Sequence, residues 1–372
     1  MSTWSTPRSW SGTGAAGRPA AAGVRGRRWY PVPPPGVVPI RQLAFFELLD
    51  GGLRVIRANP RSVLGPPALV SAVAAVAGWV IGAVLIWSVT ELGMGLSLDD
   101  AGFVGLQLVV QAVASVAGLL SYASVLLFAG TSAHAVQRGL FGEKPRLRDT
   151  WRALRGSRLR LLGLTVVFAL AQLLALLVLC LPAAGAGILL GSGIAAGLLV
   201  LAGLGLWLLF FAFCYVRFAP AGAAMVWEGL GLRAALKRSW TLTGRGFLRL
   251  LGLHLTGGFL SSTIISLVIT PVTYVLMVVA LLIAFTLEDD ASALIALLIG
   301  VLAVVSGLGT FVSAILFAYM GGIAVLAYLD QRIRLEGYDI VLLAEAEQLA
   351  AERERGNGGD GTVPGPLPGV MP

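Results

Sequence analysis

The chain has 372 residues, of which 57% are apolar and only 12% are charged. Soluble domains carry about 25% charged residues, so this composition excludes an ordinary soluble fold. The net charge of +8 raises nucleic acid as a partner, but the basic residues flank long apolar runs. We therefore expect anionic membrane lipid, and not nucleic acid, as the counter-charge.

Both ends of the chain are rich in Pro and Gly. We interpret residues 1–40 as a disordered cytoplasmic arm and residues 356–372 as a disordered tail, because such sequences cannot bury enough apolar surface to fold. Between them, residues 41–329 form a predicted membrane domain. Residues 330–355 form a predicted cytoplasmic helix.

Six apolar runs are long enough to cross a bilayer, which takes about 20 residues. An amphipathic helix predicted over residues 41–59 precedes them and ends before Pro60, because proline disfavours helix at the residue before it. We predict an all-α, polytopic membrane protein with six transmembrane helices in three hairpins, each hairpin with a cytoplasmic amphipathic helix. The predicted spans are residues 63–89, 101–136, 161–181, 187–217, 249–286 and 292–328.

The basic residues are sorted along the chain. All 27 Lys and Arg residues fall in residues 1–61, 138–160, 217–249 and 332–355. None lies in the connections between spans one and two, three and four, or five and six. The positive-inside rule then predicts a multi-pass membrane protein with both termini in the cytoplasm.

A basic amphipathic segment, a turn and a Leu-Gly pair precede each pair of spans. This repetition favours three related units, residues 41–136, 145–217 and 228–328, arranged about an axis along the membrane normal. Convergent sequence at the points where the chain enters the membrane is the alternative.

The basic segments themselves indicate contact with a membrane surface. In the stretch from residue 232 to 252, Leu232, Leu236 and Trp240 share one helix face, and Arg233 and Lys237 share another. Such helices lie in the plane of the membrane surface with their cations toward phosphates. We predict a cytoplasmic lipid-binding collar, unless the charges serve only to set topology. Its residues are Arg148, Arg152, Arg155, Arg233 and Lys237.

The sequence contains no nucleotide-binding, zinc-protease or serine-nucleophile motif. We therefore predict no cofactor, no metal and no catalytic residue. His134 and His254 could form a metal pair or a proton relay, but a hydrogen bond to a backbone carbonyl, or a place among the lipid headgroups, is commoner for such residues. Cys180 and Cys214 lie toward opposite ends of neighbouring spans and are predicted to be unpaired.

Few strongly polar side chains lie within the spans. Gln107, Gln111 and Gln172, together with His254, could line a cavity, although hydrogen bonding between helices is the commoner role of such glutamines. No Asp, Glu, Lys or Arg lies in the middle of a span, whereas such charges usually mark an ion or proton pathway. This absence disfavours an ion-coupled transporter but not a carrier of neutral or lipidic molecules.

Three parts of the chain resemble a known family. They are Val38-Pro-Ile-Arg-Gln-Leu43 with the stretch from Leu49 to Pro60, Leu236-Lys-Arg-Ser-Trp-Thr-Leu-Thr-Gly244 leading into Phe247-Leu-Arg-Leu-Leu-Gly252, and Tyr328-Leu-Asp-Gln-Arg-Ile-Arg-Leu-Glu-Gly-Tyr-Asp339. They are similar to bacterial, especially actinobacterial, membrane proteins related to the membrane domain of glycerophosphoryl diester phosphodiesterases.

This resemblance covers about residues 38–343 and implies a polytopic plasma-membrane domain. In the enzymes of that name a separate soluble barrel carries the catalytic residues, and no stretch of this chain matches that barrel. No catalytic residue is therefore implied. Arg332 and Arg334 match the family's basic segment where the last helix leaves the membrane.

Taken together, these patterns predict a non-catalytic integral membrane protein, a scaffold or accessory domain that engages anionic lipid or an unidentified protein partner. The main alternative is a transporter or permease for an uncharged or lipidic substrate, and a membrane-bound lipid enzyme comes third. A continuous polar cavity would favour transport, whereas a closed bundle would favour the scaffold.

Overall fold

A computed structural model describes residues 38–91, 123–189, 193–285 and 291–357 of the chain. These residues are helical throughout apart from short turns and contain no strand, so the predicted all-α class is confirmed. The helices are α1 (Phe45–Ala58), α2 (Pro60–Glu91), α3 (residues 123–139), α4 (Leu147–Ala153), α5 (Arg158–Leu189), α6 (Gly193–Phe218), α7 (Ala221–Trp227), α8 (Leu232–Gly244), α9 (Phe247–Ala284), α10 (Ala291–Glu336) and α11 (Tyr338–Asn357).

Within the described ranges, five helical stretches are long and apolar enough to cross a membrane. They belong to α2, α5, α6, α9 and α10 and match five of the six predicted spans. The other predicted span, residues 101–136, is described only from residue 123 onward, as part of α3. Residues 1–37 of the predicted arm and 358–372 of the predicted tail lie outside the described chain.

Helix α10 is the centre of the fold. Its stretch from Ala318 to Leu329 is almost completely buried, and α1, α2, α3 and α9 pack around it. In contrast, most of α9 and the N-terminal half of α6 expose large apolar side chains. That distribution is expected of a bundle whose outer surface lies in lipid, where apolar side chains need no protein cover.

Glycines allow the closest helix contacts around α10. The α-carbon of Gly52 in α1 lies 3.5 Å from where a β-carbon on Gly322 would sit, and a β-carbon on Gly51 would lie 2.5 Å from Leu326. On another side, a β-carbon on Gly321 would lie 3.0 Å from the backbone of Phe128 in α3. Small residues permit such approach between membrane helices.

The long helices alternate in direction. Arg249 near the start of α9 contacts Asp330 near the end of α10, so these two helices are antiparallel. The rings of Phe213 near the end of α6 and Phe247 at the start of α9 are 5.5 Å apart. The rings of Phe168 and Tyr215 are 6.5 Å apart, and a β-carbon on Gly203 would lie 2.9 Å from the carbonyl oxygen of Leu179, so α5 and α6 are antiparallel.

It follows that the starts of α5 and α9 and the ends of α6 and α10 lie together at one end of the bundle. Helix α3 packs on α10 with Phe128 beside Phe317. Only residues 140–146 separate its end from α4, which leads into the start of α5, so the end of α3 lies there too. We call this end, with α1, α4 and α8, the basic end. The described Lys and Arg residues from Arg41 to Arg334 all belong to it.

Each of α1, α4 and α8 leads through a short turn into a long helix, α2, α5 and α9 respectively. The predicted amphipathic helix of residues 41–59 begins later, at Phe45, because residues 41–44 form an extended approach to it. Helix α7 has no counterpart in this pattern among the described helices. The common order of elements agrees with the three predicted repeats, whose symmetry stays a prediction.

The predicted cytoplasmic helix of residues 330–355 is divided differently in the structure. Helix α10 continues through Asp330 to Glu336, and α11 begins only at Tyr338. Gly337 separates them with a φ of 63°, and its N–H donates to the carbonyl of Ile333. A glycine in this left-handed conformation is a common helix terminus, because other residues adopt it with strain.

Candidate lipid-binding site

The five residues of the predicted collar lie on two short helices and a turn at the basic end. Arg148 and Arg152 belong to α4, Arg155 to the turn before α5, and Arg233 and Lys237 to α8. All five side chains are exposed. None forms an ion pair with another described residue, so their charges are available to an external anion.

Each of α4 and α8 also carries a tryptophan that contacts a further cation at the basic end. The guanidinium of Arg158 lies 4.4 Å from the ring centre of Trp151, and that of Arg217 lies 4.5 Å from the ring centre of Trp240. Both tryptophans are partly exposed. Tryptophan is enriched at the headgroup level of membranes, and cations on its face are held in place by cation–π attraction.

A buried carboxylate organises the junction of the N-terminal segment with α9 and α10. Asp330 is 1% exposed and accepts hydrogen bonds from the N–H of Leu43 at 2.9 Å, from Arg249 at 2.6 Å and from Arg334 at 2.9 Å. Both arginines also donate to the carbonyl of Leu43. The buried carboxylate therefore has both hydrogen-bond donors and counter-charges, as a buried charge requires. We call it the Asp330 cluster.

A second ionic cluster lies on the other side of α10. Glu228, after α7, accepts from Arg238 at 3.1 Å and from the hydroxyl of Tyr328. Glu336 accepts from Arg238 at 2.8 Å and from Arg332 at 3.2 Å. Burial opposes the charge of Arg238, but the two carboxylates outweigh it and raise the pKa of this guanidinium above its ordinary value. We call this group the Glu228 cluster.

The two clusters change the charge that the sequence assigns to α8. Residues 232–249 contain five cations and no acid, which predicts a strongly basic surface. In the structure, Arg238 and Arg249 are neutralised by Glu228, Glu336 and Asp330. Because these partners lie elsewhere in the chain, counting charges within the segment overestimates its free charge. The predicted collar residues are not among the neutralised ones.

Sequence reasoning missed both clusters. It interpreted Arg332 and Arg334 only as the point where the last helix leaves the membrane, whereas the structure pairs them with Glu336 and Asp330. One sequence feature pointed to the Glu228 cluster: Glu228 is the only acid between Arg217 and Arg249. A lone acid in a basic segment at a membrane boundary is a candidate ion-pair partner.

An apolar cavity of about 970 Å³ opens between α6 and α9, with contributions from α5 and α10. Leucine and aromatic side chains form most of its wall, and none of its lining residues carries a charge. Leu209, Leu255 and Phe259 at its rim are exposed on the apolar outer surface of the bundle. Its size is within the range of sites for small molecules, about 300–1,000 Å³.

His254 is the polar residue that both the sequence and the structure assign to a cavity wall. Its side chain is buried, its Nδ1 lies 2.9 Å from the carbonyl oxygen of Leu250, and its ring packs edge-on against Tyr215. The expected hydrogen bond to a backbone carbonyl is therefore confirmed. Its Nε2 has no hydrogen-bond partner among the described residues.

The predicted cavity glutamines are not among the described residues of the cavity wall. Gln172 is buried in α5 but does not belong to the cavity wall, and its backbone carbonyl accepts from Trp207. Gln107 and Gln111 lie outside the described residues.

His134 is half-buried in α3. Cys180 and Cys214 are free thiols, as predicted, and the described part of the chain holds no cluster of three potential metal ligands.

Comparison of the chain with protein-family models, with curated proteins and with solved structures finds no match.

Proposed function

We propose that the chain is a non-catalytic plasma-membrane protein, a scaffold or accessory domain whose cytoplasmic end binds anionic lipid headgroups. The observation that carries this proposal is a set of five exposed cations on α4, α8 and the turn before α5, at one end of a membrane-embedded bundle. None of the five is paired with a described acid. The positive-inside rule supports a cytoplasmic location for that end and for both termini.

The ionic clusters strengthen the argument, because they show which cations have a structural partner. Arg249, Arg334 and Arg238 are held by buried or half-buried carboxylates and serve the fold. The collar residues have no such partner among the residues that the structure describes. Each basic residue close to an anionic leaflet contributes about 1 kcal/mol, and this contribution falls off within a Debye length of about 8 Å at physiological salt.

Native mass spectrometry of the purified, full-length protein tests the proposal. The variant changes all five collar residues to Gln, and the readout is the retention of phosphatidylglycerol and cardiolipin. Even at half the usual contribution per residue, the loss would total roughly 2.5 kcal/mol. We therefore expect retention to fall at least about ten-fold, since 1.4 kcal/mol corresponds to a factor of ten.

A matched control removes exposed cations that are already paired on the surface. In the triple variant Arg41→Gln, Arg54→Gln and Arg138→Gln, each lost charge was next to an acid, namely Glu47, Asp50 or Glu143. We expect this variant to retain both lipids. Unchanged retention by a correctly inserted collar variant would instead mean that the collar charges only set topology.

The cavity is not the continuous polar one that would favour transport of a solute, but an apolar cavity fits a second candidate function, a permease for an uncharged or lipidic substrate. The cavity is apolar and opens toward the outer surface of the bundle, whereas a path for polar solutes needs polar lining. Flux of a fluorescent lipid across proteoliposomes, with empty liposomes as the reference, tests this candidate. No flux above the reference would leave the scaffold as the better account.

A further inference from the structure

We infer that the cavity between α6 and α9 binds an uncharged lipid alcohol, whose hydroxyl donates a hydrogen bond to Nε2 of His254. The diacylglycerols and long-chain prenols share this chemistry. The inference rests on the cavity that supports the permease candidate, and it is independent of the anionic-lipid collar, whose residues do not line the cavity.

The protonation state of His254 follows from its contact with Leu250. A backbone carbonyl can only accept a hydrogen bond, so the Nδ1 that lies 2.9 Å from it must carry the hydrogen. In a neutral imidazole the other nitrogen, Nε2, is then an acceptor. The ring is buried and Nε2 has no partner among the described residues, and an unpaired buried acceptor carries a free-energy cost. A ligand that donates one hydrogen bond would remove that cost.

Two further polar groups of the wall are already engaged. Trp207 donates to the carbonyl of Gln172, and Ser262 donates to the carbonyl of Phe259. Because the wall carries no charged side chain, a fatty acid anion or a phosphate would be buried without a counter-charge, which is unfavourable. The wall therefore fits a ligand with hydrocarbon chains and a neutral hydroxyl donor.

The depth of His254 matches the position of such a hydroxyl in a bilayer. It lies five residues after Arg249, or about 7.5 Å further along α9 at 1.5 Å per residue. Arg249 belongs to the basic end of the bundle, so His254 lies just below headgroup level. From there the cavity continues along α9 toward Ser262, in the direction that acyl chains take. The exposed rim at Leu255 and Phe259 offers lateral access from the lipid.

The test uses the full-length protein in lipid nanodiscs and a diacylglycerol with a photoreactive acyl chain. Its counter-probe is the same molecule with the hydroxyl acetylated, which removes only the hydrogen-bond donor. We expect diacylglycerol to label residues 204–216 and 251–262 and to bind about five-fold more tightly than the acetate, a factor typical of one net hydrogen bond. A prenol and its acetate, used as competitors, should differ in the same way.

Two pairs of variants locate the site. His254→Leu should abolish the preference for the free hydroxyl, whereas His254→Gln, whose amide oxygen can accept, should keep part of it. Gly258→Leu should block labelling, because a side chain there enters open space within the cavity; Gly163→Leu, also in open space but on α5 outside the cavity wall, should not.

Equal affinity of the free and acetylated probes for the wild-type protein would overturn the inference, because ordinary bilayer chains would then account for the labelling. This comparison needs no variant and so does not depend on folding. Binding with a hydroxyl preference but without flux across proteoliposomes would support the inference and exclude the permease. Flux without that preference would support the permease and overturn the inference.

Discussion

Arg249 and Asp330 join the start of α9 to the end of α10 through a contact of 2.6 Å, and Asp330 is almost fully buried. The same carboxylate accepts the N–H of Leu43, so one side chain fixes three parts of the chain at the basic end. A buried ion pair contributes little by itself, but removing one partner leaves an uncompensated charge.

We therefore expect Asp330→Asn to lower the free energy of unfolding by about 3 kcal/mol, because Arg249 and Arg334 lose their shared counter-charge. Unfolding of the detergent-solubilised protein, followed by tryptophan fluorescence, measures this change. Asp50→Asn is the matched control, since Asp50 pairs with Arg54 on the surface, and its effect should stay below about 1 kcal/mol. Equal effects of the two substitutions would contradict the structural role of Asp330.

The Glu228 cluster predicts energetic coupling between residues far apart in the chain. A double-mutant cycle of Glu228→Gln and Arg238→Gln should give a coupling energy of roughly 0.5–3 kcal/mol, the range found for contacting residues in one network. The measurement is again unfolding in detergent. The exposed pair Arg41 and Glu47 should show a smaller coupling, and a result in the opposite order would argue against the cluster.

Close packing at Gly222 predicts a steric effect. A β-carbon at this position in α7 would overlap the carbonyl oxygen of Leu126 and lie 3.0 Å from the nitrogen of Gly130, both in α3. Because backbone atoms cannot move aside cheaply, we expect Gly222→Ala to destabilise the protein by about 1–3 kcal/mol. Gly163→Ala, where a β-carbon meets nothing within 4 Å, should be neutral or slightly stabilising, since Ala favours helix over Gly. Similar melting temperatures for the two variants would count against the α3–α7 contact.

The sequence predicted the helical class and the positions of the long helices well, because apolar length and the sorting of Lys and Arg are local properties of the chain. It did not predict how α1 packs. The side chains of Phe46 and Leu53 in α1 are exposed, whereas Gly51 and Gly52 lie buried against α10. Hydropathy gives glycine no weight as a packing residue, and lipid accepts apolar side chains as readily as a protein core does.

The site was predictable only in part, because its key contacts also join residues that are far apart in the chain. Exposure of Arg233 and Lys237 follows from helical periodicity in a short segment. Pairing of Arg249 with Asp330 joins residues 81 positions apart, and periodicity carries no information about such contacts. His254 was recognisable as a rare polar residue within a span, but its free Nε2 depends on the contact with Leu250 and on the packing of α6 against α9.

Orientation in the membrane provides a further prediction. Reporter fusions after Leu96 and after Asp289 should report an extracytoplasmic location, and fusions after Glu143 and after Gly244 a cytoplasmic one. The reason is that all Lys and Arg residues lie outside the first, third and fifth connections between spans. Inversion of any one of the four reporters would contradict the six-span topology.

The most direct test of the central claim, that the collar cations bind anionic lipid, is to map where such a lipid contacts the protein. Phosphatidylglycerol with a photoreactive group next to its phosphate, incorporated in nanodiscs, would be cross-linked to the full-length protein and the labelled peptides identified by mass spectrometry. We expect labels concentrated in residues 144–160 and 231–245 and lost from the five-Gln collar variant. Labels spread evenly over the exposed surfaces of α6 and α9, or an unchanged map in that variant, would contradict the claim.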